Sequence, residues 1–522
     1  MLSRRNITTI FIACFATAYM PCASATLAQN LPGSAPFLPA KANDHISTTA
    51  DQAGTVPNET LNLHDAVFLA LKHNPDIITG LNTRQVERFD LLTAEQKLEP
   101  SLTLTNSLGM SKSDNGPDSK NTIRQASIGP NMSWTLPTGT AISAGYTYNP
   151  SKQTGTSQYV TSSNGYNISV TQPLLKGFGF AANLTDYRNA VDTQKIDTLN
   201  LQKTVQTTIK TIATSYYAVV QAEQSFDIAK SSLKQSKQTL FARQKRFEAG
   251  QVPQMDVIQA KLDLATQQQS FEAARITQSN AKATFLDALG LPESTTFDVS
   301  DKVAVSQIKT HFSDAMKKAL SNNIDLKIAE IKSRQEKRNI QKDANDRLWQ
   351  LDLVLKHSKS TMATDYPSSS TSTSTTTLTR NNSASLTLTI PLDRVTIDQK
   401  ALQAAVDLQN QEVTTANQKR TIRNNIRAAV ENLHAKWQAL NIAKERYGLS
   451  GRNMQATKIK YQYGKIDAFS YGQQYESLIQ SQNALVTARI SYLTEVIDYQ
   501  ILMGTLLHNW NVQIEATQHA KT

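Results

Sequence analysis

Leu184, Val191, Thr198, Val205, Ile212, Val219, Phe226, Leu233, Leu240 and Phe247 stand seven residues apart, and only the threonine is not plainly apolar. An apolar period of seven kept over so many turns commits a helix to a left-handed supercoil. At a rise of about 1.5 Å per residue, the stretch from Ala181 to Ala249 would make a rod about 100 Å long. The complementary seam holds Ile209 and Tyr216 and then turns polar at Glu223, Lys230, Lys237 and Gln244, so the apolar stripe narrows along the rod. A free two-stranded coiled coil wants both seam positions apolar throughout; the narrowing stripe suits a helix in a curved layer with one wet side. Beyond Gly250 and Pro253 the chain returns, with Val257, Leu264, Phe271 and Phe285 on one stripe, interrupted by Gln278. Ala260, Ala274, Ala281 and Ala288 accompany it and allow close helix approach.

The same phase recurs 214 residues later as Ile426, Leu433, Leu440, Tyr447, Met454 and Tyr461. At that offset Arg246-Phe247-Glu248-Ala249-Gly250 matches Lys460-Tyr461-Gln462-Tyr463-Gly464, and Leu264, Phe271, Phe285 and Gly290 meet Leu478, Leu485, Tyr499 and Gly504. Upstream, Asp65-Ala66, Ala70-Leu71, Asn74 and Asp76 match Asp314-Ala315, Ala319-Leu320, Asn323 and Asp325 at an offset of 249. Gln172-Pro173-Leu174 matches Ile390-Pro391-Leu392 at 218, so the first repeat holds about 31 extra residues before the proline that ends its last strand. This divides the chain into a first repeat at 61–291, a linker at 292–311, a second repeat at 312–510 and a tail at 511–522.

Each repeat reads helix, strands, long helix, tight turn, long helix. Residues 62–98 and 312–350 have helical spacing, broken at Asn74-Pro75 and at Asn322-Asn323. Ser101–Leu108, Asn167–Thr171, Leu351–Leu355 and Ser385–Pro391 alternate apolar with polar residues as strands do. Within the extra segment, Ser127–Leu136 and Thr140–Tyr148 flank Pro137-Thr138-Gly139, a hairpin with Trp134, Tyr146 and Tyr148 near its ends. Residues 111–121, 151–165 and 358–382, rich in Ser, Thr, Asn and Gly, read as solvated loops.

The only long uncharged apolar run is Ile7–Met20, preceded by Arg4-Arg5 and followed by the small-x-small site Ala23-Ser24-Ala25. This predicts a signal peptide at 1–25, matured at Thr26. The run is short for a membrane anchor and Pro21 interrupts it; Pro21 also stands where a lipoprotein site at Cys22 would need a small residue. Arg4-Arg5 faintly resembles a twin-arginine signal, but no folded cofactor domain is visible that would need that route, and the general secretory route is simpler. Residues 26–60, carrying Pro32, Pro36, Pro39 and Pro57, read as a flexible N-terminus. Cys14 and Cys22 both fall in the exported leader, so the processed chain would have no disulfide or thiol chemistry.

Of the 522 residues, 54 are Lys or Arg and 43 are Asp or Glu, a thin and scattered excess that is a poor footprint for nucleic acid. With one apolar run, a polytopic helical membrane protein is excluded. Gly177-Phe178-Gly179-Phe180-Ala181-Ala182 imitates a dinucleotide-binding turn, with Asp197 at a tempting distance, but a very long helix follows where that fold needs a short crossover and a second parallel strand. Gly177 and Gly179 instead suit the bend from strand to helix, beside Pro173 and, in the second repeat, Pro391. The eight histidines, such as His64, His73, His311 and His434, show no metal-ligand spacing. No phosphate loop or nucleophile elbow is present, so neither an enzyme nor a cofactor or metal is expected, and a pump driven by its own ATP hydrolysis is ruled out.

The leader, the duplicated helix-strands-hairpin order and the turns at Gly250 and Gly464 together resemble the TolC-like outer membrane efflux protein family over roughly residues 60–510. The resemblance implies a mostly helical chain with β-strands. Three copies would form an outer-membrane β-barrel embedded in lipid and a periplasmic barrel of long helices. It implies a passive exit duct for efflux or type I secretion, opened when a periplasmic adaptor and an inner-membrane pump dock. By position in the family motif, Phe247, Gly250, Val252 and Asp256 and then Tyr461, Gly464, Ile466 and Phe469 would be the docking tips, although Ser470 stands where Asp256 stands in the first. The family pattern of four strands per copy sets an expectation of twelve in a trimer; the extra hairpin would raise this to eighteen if it joined the wall. The alternatives are a periplasmic adaptor, which would have one hairpin within β-rich modules, and a structural coiled coil of the envelope, which would lack duplicated strands.

Overall fold

The computed structural model describes residues 46–47, 60–114, 116, 120–156, 158–299, 305–366 and 373–514, all within the compact unit Asp44–Thr522. The expected signal peptide at 1–25, nearly all of 26–60, part of the linker, most of the tail and residues 367–372 of the stretch 358–382 lie outside the described residues.

The first repeat comprises α1 (Leu63–His73), α2 (Pro75–Gln96), β1 (Ser101–Asp114), β2 (Lys120–Thr135), β3 (Ala141–Gly155), β4 (Tyr159–Pro173), α3 (Thr185–Glu248) and α4 (Gln254–Leu289). The second comprises α5 (Phe312–Asn322), α6 (Ile324–Asp346), β5 (Gln350–Tyr366), β6 (Thr373–Thr389), α7 (Val395–Gln462) and α8 (Ala468–Leu502). The breaks between the paired short helices are capping events. Asn74 Oδ1 accepts from Asp76 N (2.9 Å) and Ile77 N (3.3 Å), and Asn323 Oδ1 accepts from Leu326 N (3.1 Å). The matching glycines after α4 and α8 end the long hairpins against these breaks. A Cβ on Gly290 would stand 2.3 Å from His73 O, and one on Gly504 would stand 2.7 Å from Asn322 O. Both glycines have left-handed backbones, with φ of 74° and 64°.

The core follows the seven-residue stripe. Val205, Ile212 and Val219 are fully buried, together with Ile209 on the complementary seam, Val67 and Ile77 from the short helices and Phe285 from α4. Ile422, Ile426, Leu433 and Tyr492 do the same in the second repeat. Towards the turns the stripe thins, and Phe226, Leu233 and Leu240 are only half-buried. The four long helices neighbour one another in the order α4, α3, α8, α7. The outer two expose large apolar side chains, including Leu262 and Ile276 on α4 and Leu402 and Ile442 on α7.

All six strands form one antiparallel sheet in sequence order, β1 to β6. The expectation of four strands per chain is therefore corrected. The inserted pair β2–β3 lies inside the sheet, with β2 paired along all fourteen residues of β1 and β3 paired along β4. The three stretches read as solvated loops are corrected too. β1 runs to Asp114, β3 and β4 leave only residues 156–158 between them, and β5 and β6 reach Tyr366 and back from Thr373. Alternation fades where both faces are polar, but β-branched threonines still favour extended backbone and each strand satisfies its neighbour's backbone groups.

Register assigns the two faces. One carries Leu102, Leu104 and Leu108, Ile128 and Met132, Ile142 and Tyr148, Ile168, Leu353 and Leu355, and Leu386 and Leu388. The other carries Thr103, Thr105, Asn131, Ser143, Asn167, Ser358 and Asn381. The strand residues that are buried, Gly129, Gly145, Gln153, Thr161, Pro173 and Thr364, all lie on the polar face, so that face is the concave one. An apolar convex face and a polar concave face are the pattern of a wall between lipid and water. No described helix is long and apolar enough to cross a membrane.

Candidate functional site

Two places gather the residues singled out by the sequence. At the sheet-to-helix junction, Pro173 ends β4 and Pro391 follows β6. Gly177 and Gly179 have φ of 81° and 94°. Gly177 N donates to Asn345 Oδ1 (2.7 Å), and Asn183 Nδ2 donates to the carbonyls of Gly177 (2.8 Å) and Gly179 (2.9 Å). The inserted hairpin is stitched into this junction: Gly179 N donates to Thr138 O (3.0 Å), and Trp134 Nε1 donates to Leu98 O (2.8 Å). The resemblance to a dinucleotide turn ends here, because α3 continues for 64 residues and leads to α4, not to a parallel strand. Asp197 faces Glu87 and Asp90 across the α2–α3 contact, where burial and then the Glu87 charge push its carboxyl up to about 6.

The other place is the pair of hairpin turns. After α3, Gly250 takes φ 69°, and Gln251 N donates back to Arg246 O (2.8 Å); after α7, Gly464 takes φ 67°, and Lys465 N donates to Lys460 O (2.9 Å). These are the six-to-one closures that a left-handed glycine permits at a helix end. Phe247 and Phe469 are exposed at 43% and 60%, whereas Val252, Asp256, Tyr461 and Ile466 are half-buried.

The turns touch each other through Tyr461 and through an arginine that periodicity did not single out. Arg243, one turn before Phe247, is 6% exposed; its Nη1 lies 3.3 Å from Asp256 Oδ2, and its Nε has no hydrogen-bond partner among the described residues. Its guanidinium lies 5.8 Å from the centre of the Tyr461 ring on the other hairpin, and that of Arg246 lies 5.9 Å from the same ring. Tyr471 packs on Tyr461 with ring centres 4.8 Å apart. In the second turn Asp467, not the residue matching Asp256, supplies the carboxylate. Its Oδ1 accepts from Ser470 N (2.7 Å), and this bond, a further one from the Ser470 side chain and the charge of Arg243 hold its carboxyl below the usual range. A cleft of about 300 Å³ between the hairpins is lined by Arg243, Asp263, Phe469, Tyr471 and Glu476.

No group of three or more His, Cys, Asp or Glu residues able to hold a metal ion occurs among the described residues. The two places consist of turns, ring contacts and ion pairs.

Comparison with known proteins bears on the family and the fold. The outer membrane efflux protein family matches residues 140–291 and 315–505, one span in each repeat. Similar solved structures include the CmeC outer membrane channel of Campylobacter jejuni, at 16% identity over 85% of this chain and 86% of that one, with a TM-score of 0.62. The outer membrane protein VceC of Vibrio cholerae is similar at 14% identity over 87% and 97%, with a TM-score of 0.60. The open state of the MtrE outer membrane channel of Neisseria gonorrhoeae is similar at 15% identity over 89% and 98%, with a TM-score of 0.61. No curated protein matches the sequence significantly. At these identities the structural likeness concerns the fold.

Proposed function

The chain belongs to the outer membrane efflux protein family, and from that premise we propose that it is the passive exit duct of a tripartite efflux or type I secretion system. Its fold is mostly helical and TolC-like, built of two repeats. In our reading three copies close a β-barrel in the outer membrane and a barrel of long helices beneath it in the periplasm. The observation that carries this is the pair of free ends in each layer. The sheet has two unpaired edges, β1 and β6, both exposed along their length, and the helical layer ends on the apolar faces of α4 and α7. Unpaired backbone groups are not tolerated in hydrocarbon, and unlike ends that meet head to tail close into a ring.

With six strands per copy, the trimer has eighteen. At a strand spacing of about 4.8 Å and a tilt of about 40°, such a wall is about 36 Å across between opposing backbones, against about 24 Å for twelve strands. The lumen-facing side, mostly Ser, Thr, Asn and Gly with Lys356 and Asp352 near the helix end, suits a hydrated passage. Subunit counting by cross-linking, top-view electron microscopy and planar-bilayer conductance of the purified protein test the reading together. Discrete openings from a trimer with the wider wall are expected; a monomer or dimer that never inserts would overturn it.

The two turns are the adaptor-docking tips in this reading, presenting Phe247, Gly250, Val252 and Asp256 beside Tyr461, Gly464, Ile466 and Phe469. Proline cannot adopt the positive φ of Gly250 or Gly464. Gly250→Pro and Gly464→Pro are therefore expected to cut adaptor cross-linking severalfold while trimers still assemble, because the barrel lies at the far end of the helices. Normal cross-linking by both variants would remove the docking role.

A further inference from the structure

The convex apolar face of the sheet ends in a row of cations. Lys112, Arg124 and Lys152 each lie eleven residues from the helix-side end of their strand, and Lys359 and Arg380 each lie nine from theirs. At about 3.3 Å per residue and a tilt of about 40°, those distances correspond to about 23–28 Å along the barrel axis. That is the height of one hydrocarbon layer, so the five side chains share one level at the outer membrane–water boundary. Between them and the helices the same face carries leucine, isoleucine, methionine and tyrosine. Tyr148 and Tyr166 stand seven residues from their strand ends, just inside the row.

Two features set this row apart from scattered surface charge. Arg124 is directly opposite Lys152, and Lys359 is directly opposite Arg380, so two like-charged pairs face each other across neighbouring strands. Such pairs destabilise a sheet unless something neutralises them. Among the described residues nothing neutralises them, as none of the five is in an ion pair. The carboxylates described on this face are Asp114, held by Lys120 at 3.0 Å, and Asp365; both lie still farther out. Beside the second pair, the Tyr166 hydroxyl lies 3.3 Å from His357 Nε2 and adds polar groups at the same level.

We propose that this row is a binding girdle for lipid headgroups bearing phosphate monoesters in the outer leaflet, a role that rests on the outer-membrane reading above. A phosphate offers about two negative charges and three acceptor oxygens, enough to bridge a facing Arg–Lys pair, while the acyl chains cover the leucine band below. The girdle thus fixes how deep the barrel sits and completes a surface that repels itself without the lipid.

The test uses the full-length trimer in discs of zwitterionic lipid, titrated with a phosphorylated glycolipid, with the same glycolipid after phosphatase treatment, and with inorganic phosphate. The double variants Lys359→Gln/Arg380→Gln and Arg124→Gln/Lys152→Gln are each expected to bind the phosphorylated glycolipid roughly tenfold more weakly while their channel conductance stays unchanged. The dephosphorylated lipid should bind weakly to all forms, and inorganic phosphate should not displace the bound lipid. Equal binding by the variants, equal binding of the dephosphorylated lipid, or displacement by inorganic phosphate would each overturn the girdle. Failure of the unaltered protein to insert and conduct would instead overturn the outer-membrane reading, and with it the premise.

Discussion

Arg338→Leu is expected to destabilise the seam between the two repeats by about 2 kcal/mol, the range for losing a hydrogen bond to a charged group, since Lys195 stays paired with the carboxylate. Asp192 on α3 is 5% exposed, and its carboxylate accepts from Arg338 Nη2 at 2.5 Å and from Lys195 Nζ at 3.0 Å. Around it Arg338 Nε donates to Asn189 Oδ1 (3.0 Å), Asn189 Nδ2 donates to Asn339 Oδ1 (2.9 Å), and Gln335 Nε2 donates to Asn189 O (3.0 Å). The loss should appear as a fall of several degrees in thermal unfolding in detergent. The double variant Asp192→Leu/Arg338→Leu should recover most of it, because the buried carboxylate that lost its nearest cation is then gone and Lys195 is exposed to water. A double variant as unstable as the single one would place the cost in packing.

The same cluster gives a pH dependence. Burial pushes the Asp192 carboxyl up, but the hydrogen bonds and charges of Arg338 and Lys195 outweigh it and hold the group below its ordinary value. A carboxylate lowered in the fold adds stability above its unfolded value of about 3.9 and loses it as pH falls through the folded one. The seam is therefore firm at neutral pH and weakens only in strong acid.

The helices were legible because their burial is periodic. The stripe from Val205 to Val219 is fully buried where the sequence makes it continuous, and it thins where Glu223, Lys230 and Lys237 occupy the second seam. Asn74 and Asn323 were visible as breaks because a cap is a local event. The strands were harder. Their inner halves alternate, but their outer halves are polar on both faces, as at Thr373–Thr377, and a local pattern cannot tell such a strand from a loop. Sheet membership of β2 and β3 was beyond reach for another reason. It depends on pairing with β1 and β4, and the alternation within a hairpin is the same whether it joins a wall or folds beside one. Arg243 escaped notice because its ring contact is on the other hairpin: Tyr461 lies 218 positions from it in the chain, where no period points; Asp467 is a local cap, missed because the 214-residue offset pointed to Ser470 instead.

Those cross-hairpin contacts lead to the last prediction. Arg243→Ala is expected to raise the open probability of the duct about tenfold, seen as larger and more frequent openings in planar bilayers. The guanidinium ties the α3–α4 turn to itself through Asp256 and to the α7–α8 turn through the Tyr461 ring, and its charge acts on Asp467. The part that reaches the other hairpin is the contact with the Tyr461 ring; a desolvated cation over an aromatic face contributes about 2 kcal/mol, and about 1.4 kcal/mol changes an equilibrium tenfold, so losing it is enough to loosen one hairpin from the other. Asp256→Asn should act in the same direction, since it leaves Arg243 buried beside a neutral amide. Arg246→Ala should do less, because that side chain is exposed and reaches only the ring. If Arg243→Ala and Asp256→Asn conduct as the unaltered protein does, the contact between the hairpins holds the tips in place without governing passage.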